Sequence, residues 1–173
     1  MTPDSRTQLD YLFSLTYEEL RRLASSVKRG DGSVTLNATA LVNEAWLKLA
    51  ASPGFATTSP LHFKRIAARA MRQVLVEAAR RRTAGKRGGD DAAGLITFGD
   101  SLAAVSCEQE MLNLDTALDE LARLEPRQAM MVEGRFFGGL EISEIAALLE
   151  VSEATILRDW RAARAWLAYQ LRH

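Results

Sequence analysis

Over residues 141–167, EISEIAALLEVSEATILRDWRAARAWL, apolar side chains recur at helical spacing in two successive registers. Ile142, Ile145, Ala146 and Leu149 make one stripe. Glu150 and Val151 break it, and Ser152 stands where it can cap a second helix with the stripe Ile156, Trp160, Ala163 and Leu167. Two short helices joined by so tight a turn form a helix-turn-helix pattern. Opposite the second stripe lie Ala154, Arg158, Arg161 and Ala165, with Leu157 beside them. Small residues alternating with arginine let a helix enter a major groove while guanidinium groups reach phosphates or guanine edges. The competing reading of this stretch is an ordinary pair of core helices with a solvated face. Glu150 is the one misfit. Such turns favour glycine for a left-handed backbone, and another residue there costs on the order of 1 kcal/mol.

The same periodicity predicts helices over about 5–28, 37–50, 61–82, 108–124, 126–137, 142–149 and 152–171. Leu9, Leu12, Phe13, Tyr17, Leu20 and Leu23 form the apolar side of the first, and Phe63, Ile66, Ala67, Ala70, Met71, Val74 and Leu75 face inward on the third. Turn signals fall at Gly30-Asp31-Gly32, Ser52-Pro53-Gly54 and Ser59-Pro60; Pro126 suits a helix first turn and Gly138-Gly139 a helix stop. No strand pattern and no internal repeat is present. The stretch TAGKRGGDDAAGL and the weaker segment after it, to Cys107, read as a linker. We therefore expect an all-α chain of two small helical domains, 1–90 and 108–173, joined by a flexible linker at 91–107, with the helix-turn-helix in the second domain.

Charge changes this picture more than composition does. The net charge is zero, yet the charges fall in opposed blocks. Residues 61–90 hold nine basic side chains (Lys64, Arg65, Arg69, Arg72, Arg80, Arg81, Arg82, Lys86, Arg87) against Glu77 and Asp90. Residues 100–125 hold seven acids against Arg123. A continuous, largely unopposed basic helix suits a nucleic-acid backbone, and an acidic face suits another protein surface. In the free protein the acidic segment before Glu125 is also expected to lie against the basic helix, holding a closed form that loosens with salt.

Candidate chemistry is sparse. Two histidines, His62 and His173, and the single Cys107 do not sit at metal-ligand spacing. Gly85-Lys86-Arg87-Gly88-Gly89 lacks the spacing of a phosphate-binding loop and follows no strand. We expect no enzyme activity, no metal and no cofactor. No run of about 18 apolar residues predicts a membrane span. The start MTPDSRTQLDYL does not read as a secretory signal, and a lone cysteine fits a reducing compartment, so the cytoplasm is expected.

The ordered set LNATALVNEAWLKL, LHFKRIAARAMRQVLVEAARRR, GKRGG and LDTALDELARLEPRQAMMVEGRFFGGLEISEIAALLEVSEATILRDWRAARAWL resembles bacterial RNA polymerase sigma factors of the extracytoplasmic-function (ECF) type over nearly the whole chain. The resemblance implies an alternative sigma factor whose first domain binds the polymerase clamp and melts the −10 element, and whose second reads the −35 element. It implies core RNA polymerase and promoter DNA as partners, with a Ser/Thr kinase or an anti-sigma factor as regulator, and no membrane.

Carried onto this chain, the polymerase-binding helix falls at 37–49. Leu41-Val42-Asn43-Glu44 matches the Leu-Val-Gln-Glu stretch typical of the family, but the acidic cluster before it is replaced by Asn37, Thr39 and Ala40. Only Glu44 remains, which places the chain in a subgroup lacking that cluster. The missing charges should weaken clamp binding by about 1 to 3 kcal/mol in total. A phosphate on Thr39, or less favourably on Thr35, would return about two negative charges. The resemblance makes 52–60 the loop that captures a flipped −10 base, and Lys64, Arg65, Arg69, Arg72, Arg80, Arg81 and Arg82 the backbone and melting contacts. Ala154, Leu157, Arg158 and Arg161 become −35 readers, with Ser152 and Thr155 near phosphate. Leu157 stands where the family commonly has a polar residue.

Two other readings compete. A helix-turn-helix regulator acting without polymerase accounts for 141–167 and leaves the first domain idle. An all-helical enzyme or scaffold uses neither surface.

Overall fold

The computed structural model describes residues 3–27, 38–51, 59–85 and 108–172. Among the described residues the only regular secondary structure is α-helix: α1 (Pro3–Val27), α2 (Ala38–Ala51), α3 (Pro60–Gly85), α4 (Glu108–Leu124), α5 (Pro126–Gly138), α6 (Ile142–Leu148) and α7 (Glu153–Gln170). The expected linker, 91–107, lies outside the described residues, as do residues 52–58 and the whole of 28–37, which includes Gly30-Asp31-Gly32, Thr35 and Asn37.

Local sequence sets the helix ends. Ser59 starts α3: its Oγ accepts the His62 N–H at 3.2 Å, and Pro60 takes the first turn, where no backbone donor is needed. Pro126 does the same for α5. Gly139 closes α5 in the left-handed region, φ 61°, where a side chain would be strained.

Two apolar cores result. Leu9, Leu12 and Leu20 of α1, Leu41, Val42 and Ala45 of α2, and Phe63, Met71 and Val74 of α3 form the first. Leu114, Leu118 and Leu121 of α4, Met131 and Phe137 of α5, Ile145 of α6, and Ile156, Ala163 and Leu167 of α7 form the second. Full burial of each large aliphatic side chain contributes about 1.5 to 3 kcal/mol. One helix, α3, contributes to both cores. Ala68, Val76 and Ala79 of α3 are buried in the second core, although none of the three belongs to the inward stripe read from the sequence. α3 thus packs on α1 and α2 by one side and on α4 and α5 by another.

Small residues make that second contact possible. A Cβ built on Gly138 of α5 would lie 2.8 Å from the Ala68 Cβ and 3.3 Å from the Lys64 carbonyl oxygen of α3. Backbones that near tolerate hydrogen on one side and methyl on the other.

Candidate nucleic-acid interface

α6 ends in a Schellman turn. Val151 N–H donates to the Ala146 carbonyl at 3.0 Å, and Glu150 N–H donates to the Ala147 carbonyl at 3.4 Å. This geometry requires a left-handed residue, and Glu150 supplies it at φ 54°, without the glycine that would relieve the strain. The misfit read from the sequence is therefore present. Ser152 then caps α7, its Oγ accepting the Thr155 N–H at 3.2 Å.

α7 is seated by Ile156, Trp160, Ala163 and Leu167, all buried, as the stripe predicted. The other face is free of core contact. Ala154, Leu157, Arg158, Arg161 and Ala165 are exposed, Ser152 is exposed, and Thr155 is half-buried. Leu157, a large apolar side chain, keeps 42 % of its surface in solvent. The sequence missed two side chains that fix the pitch of this helix. Asp159, although it stands between outward-facing residues, is buried, and its Oδ2 accepts from Arg127 Nε of α5 at 2.8 Å. The Arg135 guanidinium of α5 sits 5.3 Å from the Trp160 ring centroid, a cation–π contact. An acid between Arg158 and Arg161 on a basic face was the available signal for the first pair.

The α3 cations divide into buried, paired groups and exposed ones. Arg72 keeps 12 % of its side-chain surface and is surrounded by carboxylates. Its Nε donates to Asp115 Oδ1 at 2.9 Å, Nη2 to Asp119 Oδ1 at 2.6 Å and to the Asp115 carbonyl at 2.8 Å, and Nη1 to Glu133 Oε1 at 3.2 Å. Burial works against its charge, but Asp119, Asp115 and Glu133 outweigh burial and raise its pKa. Lys64 bridges Glu19 of α1 at 2.6 Å and Glu144 of α6 at 2.9 Å. Burial opposes its charge as well, and the two carboxylates reverse the sign, so its pKa rises. Arg82 pairs with Glu108 at 3.3 Å, and Arg65 donates to Met130 Sδ at 3.3 Å. Arg80, mostly exposed, reaches Asp115 at 3.4 Å. Arg69 and Arg81 are exposed.

In this arrangement carboxylates of the acidic segment lie against α3 and pair with part of its basic charge. Residues 108–144, together with Glu19 of α1, supply the carboxylates that meet it, and Ala68, Ala79 and Gly138 let α3 and α5 approach closely. Around Arg72 the charged groups line an open cleft of about 210 Å³ that Arg69 and Arg80 share.

In the first core, α2 carries Thr39, Ala40 and Glu44 half-buried and Asn43 exposed. Its first turn holds no acid. Leu47 is 58 % exposed despite its place in an apolar run. No cluster of potential metal ligands occurs among the described residues, and no helix among them is long and apolar enough to cross a membrane.

A family model for ECF sigma factors matches residues 4–173. The chain belongs to the ECF sigma factor family. It is an alternative sigma factor, a transcription initiation factor whose partners are core RNA polymerase and promoter DNA. No curated protein and no solved structure matches it. Within this sigma factor the two helical cores are the frame on which polymerase- and promoter-facing surfaces have to be sought.

Proposed function

We propose that this sigma factor reads the −35 element through the outer face of α7 and engages the −10 region through α3 and the segment before it, while α2 holds the polymerase clamp. The observation that carries the first part is the face of α7. Arg158 and Arg161 are exposed beside Ala154 and Ala165, on a helix capped by Ser152 and seated by four buried side chains. Small residues between two arginines allow close approach to a groove, and each arginine can donate two parallel bonds to guanine or a phosphate. For α3, the support is the density of basic side chains; for α2, it is the Leu41-Val42-Asn43-Glu44 stretch on a helix with exposed Asn43 and Leu47.

Clamp binding is tuned by phosphorylation of Thr39 in this reading. Thr39 lies in the first turn of α2, where no acid is present and where the helix dipole favours negative charge. A phosphate there would supply what the missing acidic cluster does not.

A pull-down with purified core polymerase tests the division of labour. Arg158→Ala/Arg161→Ala protein should be retained like wild type, and Thr39→Glu protein should be retained more strongly than Thr39→Ala. Loss of core binding on changing the arginines would overturn the assignment of faces. Equal affinity of the two Thr39 variants would remove the phosphosite.

A further inference from the structure

We propose that Leu157 reads a base: it selects thymine at one position of the −35 element by apolar contact with the C5-methyl group. The inference rests on the reading that the outer face of α7 meets the −35 duplex. It adds the chemistry that one position of that duplex must have.

Leu157 lies in the middle of that face. Ala154 precedes it by three residues and Arg161 follows it by four, so the three share one side of the helix, with Arg158 adjacent. The rotation of α7 holds it there. Ile156, Asp159 and Trp160 are buried on either side; Asp159 accepts from Arg127 at 2.8 Å, and Arg135 lies over the Trp160 ring. Among the described residues Leu157 belongs to neither apolar core, and much of its surface stays in solvent. A lone exposed leucine is ordinary on a protein surface. This one goes wherever the guanidinium groups of Arg158 and Arg161 go. Leucine is shorter than arginine, so it meets a base only where the helix comes close, and the small Ala154 one turn earlier permits that approach.

Leucine brings neither donor nor acceptor to a groove. Set against the edge of guanine, adenine or cytosine, it takes water from polar groups and replaces no hydrogen bond, which weakens binding. Thymine is the base that presents a methyl group on its major-groove edge. The same side chain therefore favours one base and disfavours the others. A polar residue at this position would read hydrogen-bonding groups instead.

The test uses holoenzyme assembled from core RNA polymerase and the full chain. It selects duplexes from a pool randomised across the −35 region, with wild type, Leu157→Ala, Leu157→Gln and Arg158→Ala/Arg161→Ala proteins in parallel. The sequence selected by wild type is then made with deoxyuridine in place of each thymine in turn. That change removes the methyl group and leaves every hydrogen-bonding group in place. At one thymine, wild-type affinity should fall about fourfold, the effect of one buried methyl-sized group, and Leu157→Ala affinity less than about twofold. Leu157→Gln, of comparable size but polar, should lose the preference for thymine at that position. Thermal melts identify a Leu157 variant that fails to fold, in which case the other decides.

A wild-type site without a methyl-sensitive thymine would overturn the proposal. So would a folded Leu157→Ala protein that keeps the sensitivity, or a folded Leu157→Gln protein that still selects thymine there. If Arg158→Ala/Arg161→Ala nevertheless alters the selected sequence, the −35 reading of α7 survives that failure. No enrichment by wild type, or an unchanged selection by the arginine variant, removes the −35 reading and the Leu157 assignment with it.

Discussion

Glu144 divides its carboxylate between two duties: Oε1 accepts from Lys64 Nζ at 2.9 Å, and Oε2 accepts the Glu141 N–H at 2.8 Å. One oxygen joins the helix-turn-helix to α3, and the other completes a capping box at the start of α6. Burial alone would raise the Glu144 pKa, but the Glu141 N–H and the Lys64 charge outweigh it and hold it below the ordinary 4.5. A folded-state pKa depressed in this way stabilises the protein above the unfolded value and loses that contribution as pH falls through the folded one. Thermal melts of wild type and Glu144→Gln should therefore differ most near neutral pH, with wild type higher, and converge as the pH is lowered past about 4.5. A gap that widens in acid would contradict the assignment.

Replacing Glu150 with glycine should stabilise the protein. The position is left-handed at φ 54°, and relief of a side-chain penalty of about 1 kcal/mol, partly offset by greater freedom of the unfolded chain, corresponds to a melting-temperature rise of about 2 to 4 °C or less. A fall on Glu150→Gly in thermal unfolding would show that the side chain makes a favourable contribution there.

Arg127→Met should destabilise. It leaves the buried Asp159 carboxylate without the donor that reaches it from α5. An unsatisfied buried charged group costs about 1 to 3 kcal/mol or more, enough to lower the midpoint of chemical denaturation. Asp159→Asn with Arg127 intact should cost less. A negligible cost for both would mean that the pair is dispensable to the seating of α7.

Much of this was legible in the sequence. Large apolar side chains at three- and four-residue spacing located all seven helices to within a few residues, and the interruption at Glu150 and Val151 announced a left-handed turn before Ser152. The second burial of α3 was not legible. Ala68, Ala79 and Gly138 carry no large apolar signal, since alanine suits a solvated helix face and a close helix contact equally. Arg72 and Asp115 are 43 residues apart, and their pairing has no local trace beyond the charge blocks that hinted at closure. Leu47 shows the converse, an apolar residue in a helical run that stays in solvent.

Arg158→Ala and Arg161→Ala should each weaken binding to a −35 duplex by about 1 to 3 kcal/mol where the arginine reads a base. Both side chains are exposed, so the melting temperature should hardly move. Titration of holoenzyme against labelled promoter DNA, paired with a thermal melt, separates the two effects. A comparable loss of stability would mean that these residues serve the fold.

The most direct test of the account is run-off transcription with purified core RNA polymerase on promoter templates, with and without this protein. The account predicts specific transcripts only when the protein is present, reduced by Arg158→Ala/Arg161→Ala while core binding is retained. Duplex binding without any stimulation of core polymerase would contradict it.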